Sequence, residues 1–127
     1  PDEEAVFQTH AVFGGQVLAE LADRLPGRPP ELLLAAEAAR SHHERWDGRG
    51  YPDGLAEADI PLAGRVVALA AAYEGYRTRR PDRPGLSHPM AVRLIAANSP
   101  GEFDPTLTAA FVAAADRFDA VFRNAGR

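Results

Sequence analysis

The chain has 127 residues, a formal net charge of -4, 46% apolar and 25% charged residues, and no cysteine. That size allows a single domain. The balance excludes a disordered or fibrous chain, and the missing cysteines exclude a disulfide framework and a zinc–thiolate site. Alanine is the commonest residue and the best helix former, so a helical protein is favoured before any pattern is read. No run reaches ~18 apolar residues and none has the layout of a signal peptide. The expectation is a soluble, cytoplasmic chain that does not enter a membrane. All 14 basic residues are arginine. The negative balance speaks against a nucleic-acid polymer as partner, while leaving room for a local arginine cluster that holds a small phosphorylated ligand.

The acidic residues near the start suit the first turn of a helix over residues 2–9. Val17, Leu18, Leu21 and Leu25 then recur at helical spacing from Phe13 until Pro26-Gly27 stops them. A third helical stretch runs from Glu31, after Pro29-Pro30, to about His43. Residues 44–60 lose all periodicity and hold consecutive turn signals: Asp47-Gly48, Gly50, Tyr51-Pro52 and Asp53-Gly54. Pro61 opens a new helix, in which Leu62, Val66, Leu69, Tyr73 and Tyr76 form an apolar stripe that ends before Pro81. Ser87 is placed to cap a short helix through about Ala97. Asp104-Pro105 is a cap-and-start pair, followed by Leu107, Phe111, Ala114, Phe118 and Phe122 on one face. Six helices without a strand predict an all-α bundle with a long glycine loop.

That loop carries the chemistry. It reads His42-His43-Glu44-Arg45-Trp46-Asp47-Gly48-Arg49-Gly50-Tyr51-Pro52. The zinc-protease pattern fails, because Asp47 stands where its second histidine belongs. A dinucleotide fingerprint fails as well, because Pro52 interrupts the glycines and no strand precedes them. On a helix, adjacent histidines diverge by roughly 100°. Such a pair suits two neighbouring ions, or one ion and one substrate oxygen, rather than chelation of one ion. An isolated pair would read as a helix C-terminus favoured by the dipole. Here the flanking Glu44, Asp47 and glycines extend it into a longer pattern.

The stretch from His42 to Pro52 is a complete HHExxDGxGYP signature and resembles the HD-GYP family of metal-dependent phosphodiesterases, which hydrolyse the bacterial messenger cyclic di-GMP. The likeness continues through Asp53-Gly54-Leu55, through Ile60 to Arg65, and through Phe103-Asp104-Pro105 and Phe111. Upstream it takes in Glu3-Glu4, His10 and Gly14-Gly15. It implies a helical bundle that holds two or three divalent metal ions, iron or manganese, and no organic cofactor. His10, His42 and His43 match metal ligands. Glu44 and Asp47 match residues that hold the helix end and the loop containing Gly48, Gly50 and Pro52. Tyr51 matches a residue lining the substrate cleft, and for Trp46 plain packing is the expectation.

Three positions depart from the family. The His-Asp dyad that names it is absent, which suggests a single domain over residues 1–127 that lacks the family's first helices. Where the family's long helix reads roughly A-L-A-D-x-Y-D-A-L, with its first aspartate a metal ligand, this chain has Ala71, and Glu74 already fills the second aspartate position. The family's phosphate-contacting R-P-x-K reads Arg80-Pro81-Asp82-Arg83. Two classes of function follow. One is a degenerate module that binds cyclic di-GMP, or a GGDEF-type signalling protein through the glycine loop, with no intact catalytic set. The other is the C-terminal portion of an active phosphodiesterase. A phosphohydrolase for another nucleotide is a third reading.

Overall fold

A computed structural model describes residues 3–125. It holds the helices α1 (Glu3–Arg24), α2 (Pro30–Ser41), α3 (Leu62–Arg77), α4 (His88–Ala97), α5 (Pro105–Ala113) and α6 (Ala115–Asn124), with one turn of 3-10 helix at Glu57–Asp59. The described residues form no strand, so the all-α expectation holds. The helices fall into two compact units that divide between Ala68 and Leu69, within α3.

The number of helices agrees with the sequence reading, but two boundaries differ. The stretches expected at 2–9 and from Phe13 form one helix, α1, from Glu3 onward, residue 2 lying outside the described residues. Gly14-Gly15 does not interrupt it, because Gly15 is buried against α2: a Cβ there would lie 3.0 Å from the Arg40 Cβ and 3.3 Å from the Ala36 carbonyl oxygen. The tight helix contact is what glycine permits. Conversely, the single helix expected from Pro105 is divided at Ala114, whose N–H bonds to both the Ala110 and Phe111 carbonyls at 3.1 Å. Nothing in the surrounding alanine run marks that break.

In the first unit, α1 packs on α2 through small residues. Ala11, Gly15 and Ala22 are its buried positions. Phe13, Val17, Leu21 and Leu25, which mark the helical repeat, are 40–67% exposed on other faces. At the start of α3, Gly64 lies so close to the buried Ser41 that a Cβ would overlap the serine side chain. Large apolar burial here is confined to Ile60.

The second unit is built differently. Leu69, Tyr73, Ala91, Ile95, Phe103 and Phe111 form a core of buried residues, with Phe118 and Phe122 packed against it. Phe111 and Phe118 meet edge to face at 4.8 Å, and Tyr73 meets Phe111 at 5.7 Å, the geometry that aromatic quadrupoles favour. The predicted stripe along α3 is thus buried only at Leu69 and Tyr73, while Leu62 and Val66 are exposed. Both expected caps form. Ser87 Oγ accepts from Met90 N, and Asp104 Oδ1 accepts from Thr106 N at 2.8 Å. In the last turn of α3, Arg77 pairs with Asp119 of α6 at 2.8 Å and lies 4.4 Å over the Phe122 ring. The same guanidinium donates to the buried Tyr73 hydroxyl, which also meets His88 Nδ1 at 2.9 Å.

Candidate metal centre and its loop

Three histidines of the first unit converge. His10 comes from α1, while His42 and His43 follow the last residue of α2, and one ring nitrogen from each lies within 4.8 Å of the others. The 100° divergence expected of adjacent helical histidines does not apply. The helix ends at Ser41, and His43 sits in the turn beyond it, so the two rings approach to 4.0 Å.

Backbone carbonyls fix two of the three rings. His10 Nδ1 faces the Phe7 carbonyl at 2.5 Å, and His42 Nδ1 faces those of Ala38 and Ala39 at 2.9 and 3.0 Å. A ring nitrogen against a carbonyl is the one that donates, so Nε2 is the position each ring can offer to an ion. His43 is held by stacking on Tyr51, with ring centroids 4.9 Å apart and planes 15° from parallel. Burial, and then the neighbouring His42 and His10, push its imidazole down to about 4. At neutral pH it is therefore an uncharged donor.

The glycine loop presents Tyr51 to His43. Tyr51 N donates to the His43 carbonyl at 3.2 Å, and the Tyr51–Pro52 bond is cis. A Cβ at Gly50 would collide with the backbone of His43, Glu44 and Arg45, and Gly48 has a φ of 81°, which favours glycine. Glu44 is 3% exposed, and its two carboxylate oxygens accept from Asp53 N at 2.8 Å and Leu55 N at 3.0 Å. Asp47 is exposed. It takes a bidentate contact from Arg45 at 3.1 and 3.0 Å, and accepts from Arg49 N at 3.1 Å. Trp46, half-buried, accepts from Glu57 N through its carbonyl. Burial, and then the charge of Glu4, raise the Tyr51 hydroxyl above its ordinary value.

The sequence reading missed one element of this assembly. Arg40 grips Asp53 through two bonds of 2.9 Å, tying the last turn of α2 to the far side of the loop. A basic residue in a helix's last turn and an acid in a distant turn carry no signal that they will meet.

The other predicted residues lie in the second unit. A turn sets Arg80 and Arg83 opposite one another, each backbone N–H donating to the other's carbonyl at 2.9 and 3.2 Å. Both are exposed, and Arg83 also donates to the Gly75 carbonyl at 3.2 Å. Ala71 is exposed on α3. Glu74 accepts from the Thr78 hydroxyl at 2.7 Å and borders a groove of about 630 Å³, whose walls include Tyr73, Phe118, Val121 and Phe122.

The sequence itself has relatives among known proteins. The HD domain family matches residues 1–107, so the chain belongs to that family. Among its relatives, a cyclic di-GMP phosphodiesterase of Vibrio cholerae is 41% identical over 121 residues, covering 94% of this chain and 24% of that protein. A cyclic di-GMP phosphodiesterase of Thermotoga maritima is 34% identical over 123 residues, covering 97% of this chain and 32% of that protein. The 3'3'-cGAMP-specific phosphodiesterase 2 of Vibrio cholerae is 30% identical over 119 residues, with 94% and 22% covered. The chain thus spans a quarter to a third of the length of the two cyclic di-GMP phosphodiesterases and less of the third relative. No helix among the described residues is long and apolar enough to cross a membrane.

Proposed function

We propose that this chain is a cytoplasmic cyclic-dinucleotide-binding module of the HD family, with cyclic di-GMP as its ligand and little or no hydrolysis. One observation carries the reading: among the described residues the three-histidine group contains no carboxylate. Phosphodiester hydrolysis by paired ions needs both held at a fixed separation, usually by shared acids. Ala71, where the family resemblance calls for an aspartate, offers no donor atom.

Recognition needs less than catalysis. His10, His42 and His43 are the residues to hold an ion, which would neutralise phosphate charge. Glu44 and Asp47 shape the loop that keeps Tyr51 stacked on His43, leaving an aromatic wall beside the histidines. Arg80 and Arg83, set opposite one another on a turn, suit a phosphate, which a guanidinium grips with two parallel hydrogen bonds. The loop over residues 47–54 is also a docking surface for a GGDEF-type signalling protein.

The relatives named as phosphodiesterases favour a second reading, in which the chain is part of an active enzyme. Their names also cover two cyclic dinucleotides, so another nucleotide stays in view as the substrate. Calorimetry separates these readings. The chain should bind cyclic di-GMP more tightly than 3'3'-cGAMP, and the Arg80→Ala, Arg83→Ala double variant should lose at least about tenfold in affinity. Equal binding by the double variant removes the arginine site. Steady turnover with added manganese or ferrous iron replaces the module with the enzyme.

A further inference from the structure

The arginines proposed to grip phosphate stand on a largely exposed loop, residues 78–87, that joins α3 to α4. Both ends of that loop reach the same atom. Arg77, the last residue of α3, donates to the Tyr73 hydroxyl, and His88, the first residue of α4, meets it through Nδ1 at 2.9 Å. Tyr73 is 3% exposed, so its hydroxyl must find its partners within the protein. A guanidinium has donors only, so the oxygen accepts from Arg77 and passes its own hydrogen to His88 Nδ1. Burial raises the Tyr73 hydroxyl above its ordinary value and outweighs the opposing bond from Arg77, so the hydrogen to be donated stays in place. Asp119 and the Phe122 ring also hold the Arg77 guanidinium, at 2.8 and 4.4 Å.

From this convergence we infer that the Tyr73 hydroxyl clasps the base of the arginine loop, which makes Tyr73 a positioning residue for Arg80 and Arg83. It rests on the proposed reading of these two arginines as the phosphate grip, and adds what aims them. Beyond the clasp the loop is tied by its main chain. Leu86 N donates to the Tyr76 carbonyl at 2.7 Å, and the backbones of Arg80 and Arg83 bond one another. Gly85 sits where a Cβ would overlap the Arg77 carbonyl, so the returning segment lies close against the end of α3. Arginine side chains are long and rich in rotamers, so two of them gripping one anion lose less entropy from a fixed base. Both ends of the loop depend on a single oxygen, and its removal frees both at once.

The test removes that oxygen alone. Tyr73→Phe, made in the whole chain, keeps the ring in the aromatic core against Phe111 and Phe118. Amide exchange at Arg80, Arg83 and Leu86 should accelerate by at least about tenfold, the worth of one net hydrogen bond. Calorimetry with cyclic di-GMP should show at least about a fivefold loss of affinity. A residue that merely supports the fold weakens binding in any background, whereas one acting through the arginines adds nothing once they are gone. Tyr73→Phe should therefore leave the residual affinity of the Arg80→Ala, Arg83→Ala variant unchanged. His88→Asn, which returns an acceptor oxygen near the place of Nδ1, should keep more of the affinity than His88→Leu. Three results would each overturn the assignment: unchanged exchange at the three amides, parent-like affinity of Tyr73→Phe where the arginine double variant is weakened, or a further loss in the arginine-free background. Parent-like binding by the arginine double variant instead overturns the phosphate grip itself, so the two failures are told apart.

Discussion

The two units of this chain are stabilised by different means. The second is held by apolar area: six buried residues led by Tyr73, Ile95, Phe103 and Phe111, with aromatic rings meeting edge to face. The first has few large buried side chains. Its helices touch through Gly14 and Gly15 of α1, and its long loop is held by a buried glutamate, a bidentate arginine and glycines that admit close backbone contacts. The difference shows what a site requires. An apolar core tolerates exchange of similar volumes, but three histidines and a tyrosine must be aimed, and hydrogen bonds aim better than packing does.

The sharpest way to break that comparison is to remove mass from the aromatic core. Phe111 is 3% exposed and touches Tyr73 and Phe118. Phe111→Ala should cost about 3–5 kcal/mol in chemical denaturation. Every histidine of the candidate centre lies outside that core, so the divalent-metal affinity of the molecules that remain folded should change less than about threefold. A coincident collapse of metal binding, measured where the variant is still folded, would show that the contrast between the units is false.

The opposite experiment strikes the loop. Glu44→Gln keeps the shape but replaces two acceptor oxygens with one oxygen and an amide. Either Asp53 N or Leu55 N then loses its partner and meets a donor instead. A buried donor left unsatisfied costs about 1–3 kcal/mol. We expect a loss of that size in stability, together with faster amide exchange at residues 53 and 55 and weaker stacking of Tyr51 on His43. Unchanged exchange at both amides would remove Glu44 from its role in aiming the loop.

These two regions were not equally legible in the sequence. The loop announced itself, because Gly48, Gly50 and the Asp and Pro residues around them have few conformational uses and their spacing forms a long signature. The caps Ser87 and Asp104 were equally plain, since a short polar side chain before a helical run has one dominant role. The packing faces were not. Periodicity in α1 pointed to Phe13, Val17 and Leu21, yet the helix buries Ala11, Ala22 and a glycine, because the contact with α2 rewards close approach over bulk. The fusion of two expected helices into α1 has the same origin. The break at Ala114 is silent because alanine is neutral to both outcomes, and the meeting of Arg40 with Asp53 depends on tertiary placement that no local pattern encodes.

That last pair supplies the smallest expected effect and the finest test of how the loop is held. Arg40 and Asp53 are joined by two short bonds, but their side chains are 42% and 37% exposed, so solvent screens them and their coupling should be only about 0.2–1 kcal/mol. The Arg40 guanidinium, bonded to Asp53, holds its carboxyl below the usual carboxylate range. A depressed folded value means that the stabilisation is fully present above the ordinary range, near pH 4, and is lost as the pH falls through the lowered folded value. Asp53→Asn should therefore be slightly less stable than the parent at pH 7. The two should converge in acid, where the parent's carboxyl is protonated too, and again at about 1 M salt, where exposed charges are screened. A double-mutant cycle with Arg40→Gln at pH 7 measures the coupling directly. A buried, backbone-bonded acid such as Glu44 should show no comparable sensitivity to salt, because its partners are amides rather than a mobile charge. If the Arg40–Asp53 coupling persists undiminished in high salt, the clamp is more shielded than its exposure indicates, and the loop is held from two sides rather than one.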